Sequence, residues 1–152
     1  MTTKASTGLR NHMLATGSLK AALDGGFLDI YGCPESSIPL TADAAIDPAV
    51  HKLLARMYSD GTSAGLTLAL AAADGFIEKL ASQTWSGTVI ETGTARFFRF
   101  TAAGDTGAAS TTLPRLQGTI ARAGADLNIT SVDLAVGAPQ AVNFFSIALP
   151  AF

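Results

Sequence analysis

At 152 residues, with 48% hydrophobic and only 14% charged side chains and a net charge of −2, the chain is sized for one domain whose core needs no disulfide or metal. Its ten basic residues are scattered, which excludes the electrostatic footprint of nucleic-acid binding. The lone Cys33 excludes an intrachain disulfide and any multi-cysteine metal site. Charge this far below the roughly 25% of ordinary soluble domains, with a mean hydropathy of +0.33, predicts a surface partly covered by a neighbouring subunit, and so a homo-oligomer.

In chain order, residues 1–26 read as an N-terminal arm with short helices, and 27–152 as the main domain. Leu9, Met13 and Leu14 fall at helical spacing between Gly8 and Gly17. Ser18 suits an N-cap for Leu19–Leu23, with Asp24-Gly25-Gly26 as its stop. Residues 27–32 alternate as a strand, with Phe27, Asp29 and Tyr31 on one face and Leu28 and Ile30 on the other. The Pro-, Ser- and Asp-rich stretch 33–49 reads as a surface loop. Residues 50–58 fit a helix started by Asp47-Pro48 or a strand, and periodicity does not separate the two.

Residues 65–71, GLTLALA, predict a strand with Leu66, Leu68 and Leu70 on one face. Residues 76–81 suit either a helical turn or a short strand. The stretch 85–101 predicts a hairpin, two β-prone runs joined by Thr92-Gly93-Thr94. It holds the sole Trp and three of the eight Phe residues, with Trp85, Phe98 and Phe100 as expected core anchors. Arg96 and Arg99 stand at odd separation and so point to opposite faces, with Glu91 a candidate partner across the hairpin. Residues 105–114 read as a small-residue loop, 115–121 and 126–130 as strands around a tip at 123–125, and 142–149 as a last strand stopped by Pro150. Phe145, Ile147 and Leu149 share its core face. Seven to nine short strands with little helix predict an all-β fold, an antiparallel β-sandwich or jelly roll with a short N-terminal helical arm.

Reactive chemistry is sparse. Gly61-Thr62-Ser63-Ala64-Gly65 matches the G-x-S-x-G elbow, but that motif needs a strand before it, a helix after it and a later histidine. Here a strand is expected to follow, and both His12 and His51 precede Ser63. Two isolated histidines make no zinc site, and Asp24, Asp60 and Asp74 sit in turn sequences. Neither catalysis nor a cofactor is expected. Trp85, or Tyr31 with Tyr58, would be the platform if the domain bound sugars. The run 61–73 is too short to span a bilayer, and 134–152 is broken by Pro139, Gln140, Asn143 and Ser146, so no membrane span is expected. No signal peptide is expected either.

Several short motifs carry a resemblance. Ser6-Thr7-Gly8-Leu9-Arg10-Asn11, Ser18-Leu19-Lys20, Ile30-Tyr31-Gly32 and Trp85-Ser86-Gly87 are its first members. It continues through Thr92-Gly93-Thr94-Ala95, Arg99-Phe100, Gly124-Ala125-Asp126-Leu127 and Phe145-Ser146-Ile147-Ala148-Leu149-Pro150. Together they cover most of the chain, which resembles a family of small tailed-bacteriophage virion structural proteins encoded among head and tail genes. The resemblance implies a strand at 50–58 and a virion part assembled in the host cytoplasm, with the major capsid protein or other virion proteins as partners. A capsid decoration, or cement, protein is the leading expectation, with Leu9, Arg10, Met13 and Leu14 of the arm at the interface. A head–tail junction, collar or tail ring is the alternative, and a carbohydrate-binding module on the virion surface a further one.

Overall fold

The computed structural model describes residues 3–149. Its elements are β1 (Lys4–Ala5), α1 (Thr7–Ala15), α2 (Leu19–Leu23), β2 (Phe27–Gly32), β3 (Lys52–Met57), β4 (Phe76–Glu78), β5 (Trp85–Thr88), β6 (Gly93–Thr101), β7 (Arg115–Ala121), β8 (Leu127–Asn128), β9 (Asp133–Leu134), β10 (Pro139–Val142) and β11 (Ser146–Ala148). The protein is mostly β, made of antiparallel sheets with two short α-helices near the start. The main sheet runs β1-β7-β6-β2-β3, with β8 on β7 and β9 on β6, and two smaller ladders pair β10 with β5 and β11 with β4. Backbone bonds between Tyr58 and Ser86 continue β3 into β5.

The arm is not loose. β1 joins the main sheet, pairing Lys4 with Gln117 and Ala5 with Leu116. Ser6 then caps α1 by accepting the Leu9 N–H, while its hydroxyl donates to the Leu113 carbonyl and accepts the Arg115 N–H. One side chain thus starts the helix and locks it to β7. Ser18 caps α2 as expected, accepting from the Ala21 N–H, and Gly25 follows the helix with a φ of +82°.

One face of the main sheet builds the core. Leu28, Ile30, Phe98 and Phe100 point into it and meet Trp85 and Phe145. The ring centroids of Trp85 and Phe145 are 5.4 Å apart, those of Phe98 and Phe145 5.6 Å, and those of Trp85 and Phe100 5.7 Å. The Trp85 indole N–H donates to Gln83 Oε1 at 2.9 Å, so the buried ring leaves no polar atom unpaired.

Several expectations need correction. The 85–101 stretch is not a hairpin: β5 pairs with β10, and β6 pairs with β2 and β7. Gly93 opens β6 instead of making a turn, pairing with Leu134 of β9. Residues 65–71 form no strand; only Leu68 bridges, to Lys79. A Cβ on Gly65 would run into the Gly25 backbone, so this segment is pinned as an extended strap against the end of α2. Leu66 and Leu68 are buried there, but Leu70 is 85% exposed and is no core anchor. Leu149 is likewise 59% exposed, whereas Phe145 and Ile147 are buried. Leu9, expected at an interface, is buried in the core. β8 pairs with β7 in parallel, so 123–125 is not a hairpin tip. Segment 50–58 contains β3, a strand, and 76–81 opens with the strand β4. The stop assigned to Pro150 lies outside the described residues.

Candidate functional sites: a polar cleft and an apolar face

The opposite face of the main sheet is polar and almost as well covered. Strand alternation places Arg56 of β3, Asp29 of β2, Arg99 of β6 and Gln117 of β7 in one row across four strands. Arg56 clasps Asp29 with Nε to Oδ1 at 2.6 Å and Nη2 to Oδ2 at 2.7 Å, and lies 4.9 Å from the centre of the Phe27 ring. Tyr31 donates its hydroxyl to Asp29 Oδ2 at 3.3 Å and stacks on Phe97 at 5.0 Å. His51 packs edge-on to Phe97, accepts the Asp47 N–H on Nδ1 and donates from Nε2 to the Ser37 carbonyl.

Two loops lie over this row, 33–49 and 102–114, and the sheet's side chains hold them down. Gln117 donates to the Pro39 carbonyl at 2.7 Å, and Arg99 Nη1 to the Ala44 carbonyl at 2.8 Å. Arg115 is the main fastener: Nε and Nη2 grip Asp105 at 2.6 and 2.8 Å, while Nη2 also reaches the Ala108 carbonyl and Nη1 the Ala42 carbonyl. Between the loops and β3 remains a cleft of about 420 Å³, with Arg99, Arg56, Tyr31 and Asp29 among its lining and Ile46 and Ile90 among its apolar walls.

The electrostatics of the row follow from burial. Desolvation, and then the neighbouring charge of Arg115, push Arg99 down from 12.5 to about 10. Arg56 moves the other way, because its hydrogen bonds to the Asp29 carboxylate favour the charged form over its partial desolvation. Burial first and the Asp29 charge second raise Tyr31 well above the ordinary tyrosine value of 10. A folded-state value above the unfolded one means that this contribution to stability is complete below pH 10 and is lost as pH climbs above it. In Tyr58→Phe, where Tyr31 is the sole tyrosine, phenolate absorbance in a pH titration should therefore rise only together with unfolding. Phenolate forming in that variant while it remains folded would contradict the assignment.

The second site is an apolar face on the far side of the core. A groove of about 330 Å³ has Met13 of α1, Leu19 of α2, Phe76 and Ile77 of β4, Ile147 of β11 and Leu149 among its lining residues. Phe76 is 50% exposed and also lines an adjoining hollow with Ala69, Ala71 and Ala73. Only β4 pairs with β11, so the other edge of β11 carries no strand among the described residues. Of the arm residues expected at an interface, Met13 lines this groove, Leu14 is exposed on the same helix, and Arg10 is exposed with its guanidinium on the Thr7 hydroxyl.

The remaining candidates resolve into structural roles. Ser63 stands in a turn nucleated by Asp60, whose carboxylate accepts the N–H groups of Ser63, Ala64 and Thr62 and is held well below the usual carboxylate range by them. The Ser63 hydroxyl donates to the same carboxylate at 3.2 Å. Cys33 is half-buried, and burial raises its thiol. Trp85 is buried and offers no stacking platform, while Tyr58 packs edge-on against Phe27. Glu91 pairs with Lys52 and not with an arginine, and Arg96 is exposed while Arg99 is buried. Among the described residues no three His, Cys, Asp or Glu side chains are grouped to hold a metal, and no helix is long and apolar enough to cross a membrane. Sequence reasoning missed Arg115 and the whole polar row; its one signal was an arginine alternating with phenylalanines in 97–100.

No known family, no curated protein and no solved structure matches this chain.

Proposed function

We propose that the protein is a structural part of a tailed-bacteriophage virion: a non-catalytic capsid decoration, or cement, protein that oligomerises and bridges major capsid protein subunits. We read its sheets as an open form of β-sandwich, related to a jelly roll. The observation that carries the reading is the apolar face, where Phe76, Leu149 and Met13 line a groove with Ile147 of β11, whose second edge pairs with no strand among the described residues. Contiguous apolar surface of this kind marks an interface, and a strand edge that pairs with no strand among the described residues is a template for another chain. A chain with few charges supports the same conclusion, since interface cores are depleted of charge.

Cryo-electron microscopy of purified particles tests the assignment. Density at many equivalent positions over the head is expected. Density confined to the neck or tail would overturn the capsid placement in favour of a collar or tail ring. Phe76→Glu separates the interface from the fold: the exposed position should change stability by no more than about 0.5 kcal/mol. The variant should nevertheless abolish self-association in sedimentation and incorporation into particles. Unchanged assembly of a folded Phe76→Glu protein would remove this face from the interface.

A further inference from the structure

β11 has one partnered edge, and its hydrogen bonds fix which residues face the other. It pairs with β4 as Ser146 with Glu78, Ile147 with Ile77 and Ala148 with Phe76, without a bulge. The ladder runs on at both ends, where the Lys79 N–H donates to the Phe145 carbonyl and the Leu149 N–H to the Gly75 carbonyl. The odd-numbered residues therefore bond to β4, and strand alternation turns the N–H and C=O groups of Phe144, Ser146 and Ala148 to the second edge. Among the described residues no strand pairs there. Monomeric proteins guard such an edge with charge, proline or a bulge. Residues 143–149 contain no charged side chain and no proline. Ala148 and Phe144 are exposed along it, Phe144 at 64%.

We propose that this edge pairs with the same edge of a second copy of the chain, antiparallel about a two-fold axis at Ser146, so that two small sheets join into one. The inference rests on the reading of this region as an interface, and it specifies the partner and the register. In a two-fold antiparallel pair the bonded residues must face outward on both copies. Centring on Ser146 sets that residue against its own counterpart and Phe144 against Ala148, so every outward N–H meets an outward carbonyl. Centring one residue later would set Phe144 against Pro150, which has no N–H to give. Centring one residue earlier would set Ala148 against Val142, which is paired with Trp85 in another ladder. The side chains fit the same register. Phe76 neighbours Ala148 on one side, and Phe144 of the second copy becomes its neighbour on the other. Two exposed rings thus close over one small residue, and symmetry repeats the contact. Charge does not oppose the pairing. Glu78 lies opposite Ser146, so the two Glu78 residues stand three strand spacings apart, about 14 Å, beyond the screening length of about 8 Å at physiological salt.

The test is sedimentation of the full-length protein over a range of concentrations, with NMR on a mixture of isotope-labelled and unlabelled chains. A concentration-dependent dimer is expected. It should show an intermolecular contact between the Hα atoms of Phe145 and Ile147, the close non-hydrogen-bonded pair when the axis is at Ser146. Ser146→Pro removes an N–H that β4 does not use, and proline is tolerated on an edge facing outward. The variant should keep the wild-type circular dichroism spectrum. Its dimer dissociation constant should rise at least about tenfold, from a hydrogen bond lost on each copy and the bulk of the ring. Ala148→Lys provides a second arm. At an exposed position it puts a charged chain where Phe144 of the second copy packs, and should leave a folded monomer. Dimers persisting in folded Ala148→Lys would overturn the edge pairing, while loss of association in Phe76→Glu would leave the wider apolar interface standing. A wild-type protein that is monomeric throughout yet enters particles would overturn the pairing and leave the capsid contact intact. An Hα contact of Ile147 with its own counterpart would overturn the register.

Discussion

Replacing Asp105 by alanine is expected to destabilise the fold by about 3–5 kcal/mol, the range for breaking a buried ion pair from one side. Asp105 and Arg115 are 2% and 0% exposed at their side chains, joined by two short bonds. Without the carboxylate, Arg115 keeps a charge and loses its counter-charge in a place water does not reach. The same guanidinium holds the Ala42 and Ala108 carbonyls, so the loss spreads to both loops. Urea unfolding should show a lower midpoint with an unchanged slope. The double replacement Asp105→Leu with Arg115→Met removes both charges and should recover the part of the loss that comes from the uncompensated charge, but not the part carried by the Ala42 and Ala108 carbonyl bonds. If Asp105→Ala alone were neutral, the pair would not be what fastens the loops.

Trp85→Ala should cost a similar amount, about 3–5 kcal/mol, by a different route. The indole is fully buried at the meeting point of Phe100 and Phe145, and β5 carries it from one ladder into the core beneath another. Removal leaves a cavity bounded by rings on strands that are fixed by their own pairing, and such walls relax little. It also frees Gln83 Oε1, which would keep only the Thr67 N–H. Trp85→Phe should cost distinctly less. A smaller loss in Trp85→Ala than in Trp85→Phe would mean that the site collapses, and that this cluster is not the centre of the core.

The strands most legible in the sequence are those with unambiguous alternation and local stops. The run 27–32 declares both faces through Leu28 and Ile30 against Asp29 and Tyr31, and 115–121 is similarly plain. Helix caps at Ser18 and the glycines after Leu23 are local signals and also read correctly. Failures occurred where a residue answers to something distant. Gly93 looks like a turn glycine, but it stands in a strand and pairs with Leu134, far along the chain. Leu70 continues the alternation of Leu66 and Leu68, yet the chain leaves the core before reaching it. The polar row was hidden for the same reason: Arg56 and Asp29 are 27 residues apart, and Arg99 and Gln117 18 apart. Among the expected interface residues, Leu9 and Met13 share a helical stripe, and only docking of α1 decides that Leu9 is covered while Met13 lines a groove.

The pairing of β1 with β7 has a consequence for how the chain is made. Lys4 finds its partner in Gln117 and Ala5 in Leu116, and the cap that starts α1 is completed by the Arg115 N–H. During synthesis β1 therefore cannot find its place until β7, far behind it in the chain, has emerged. Until then Leu9 stays uncovered, and the early chain has a greasy helix and an unmatched strand that a chaperone or a sister chain could seize. Closure across so long a stretch of sequence is slow by nature, and the main sheet is completed on this side only when β7 captures a strand made long before it.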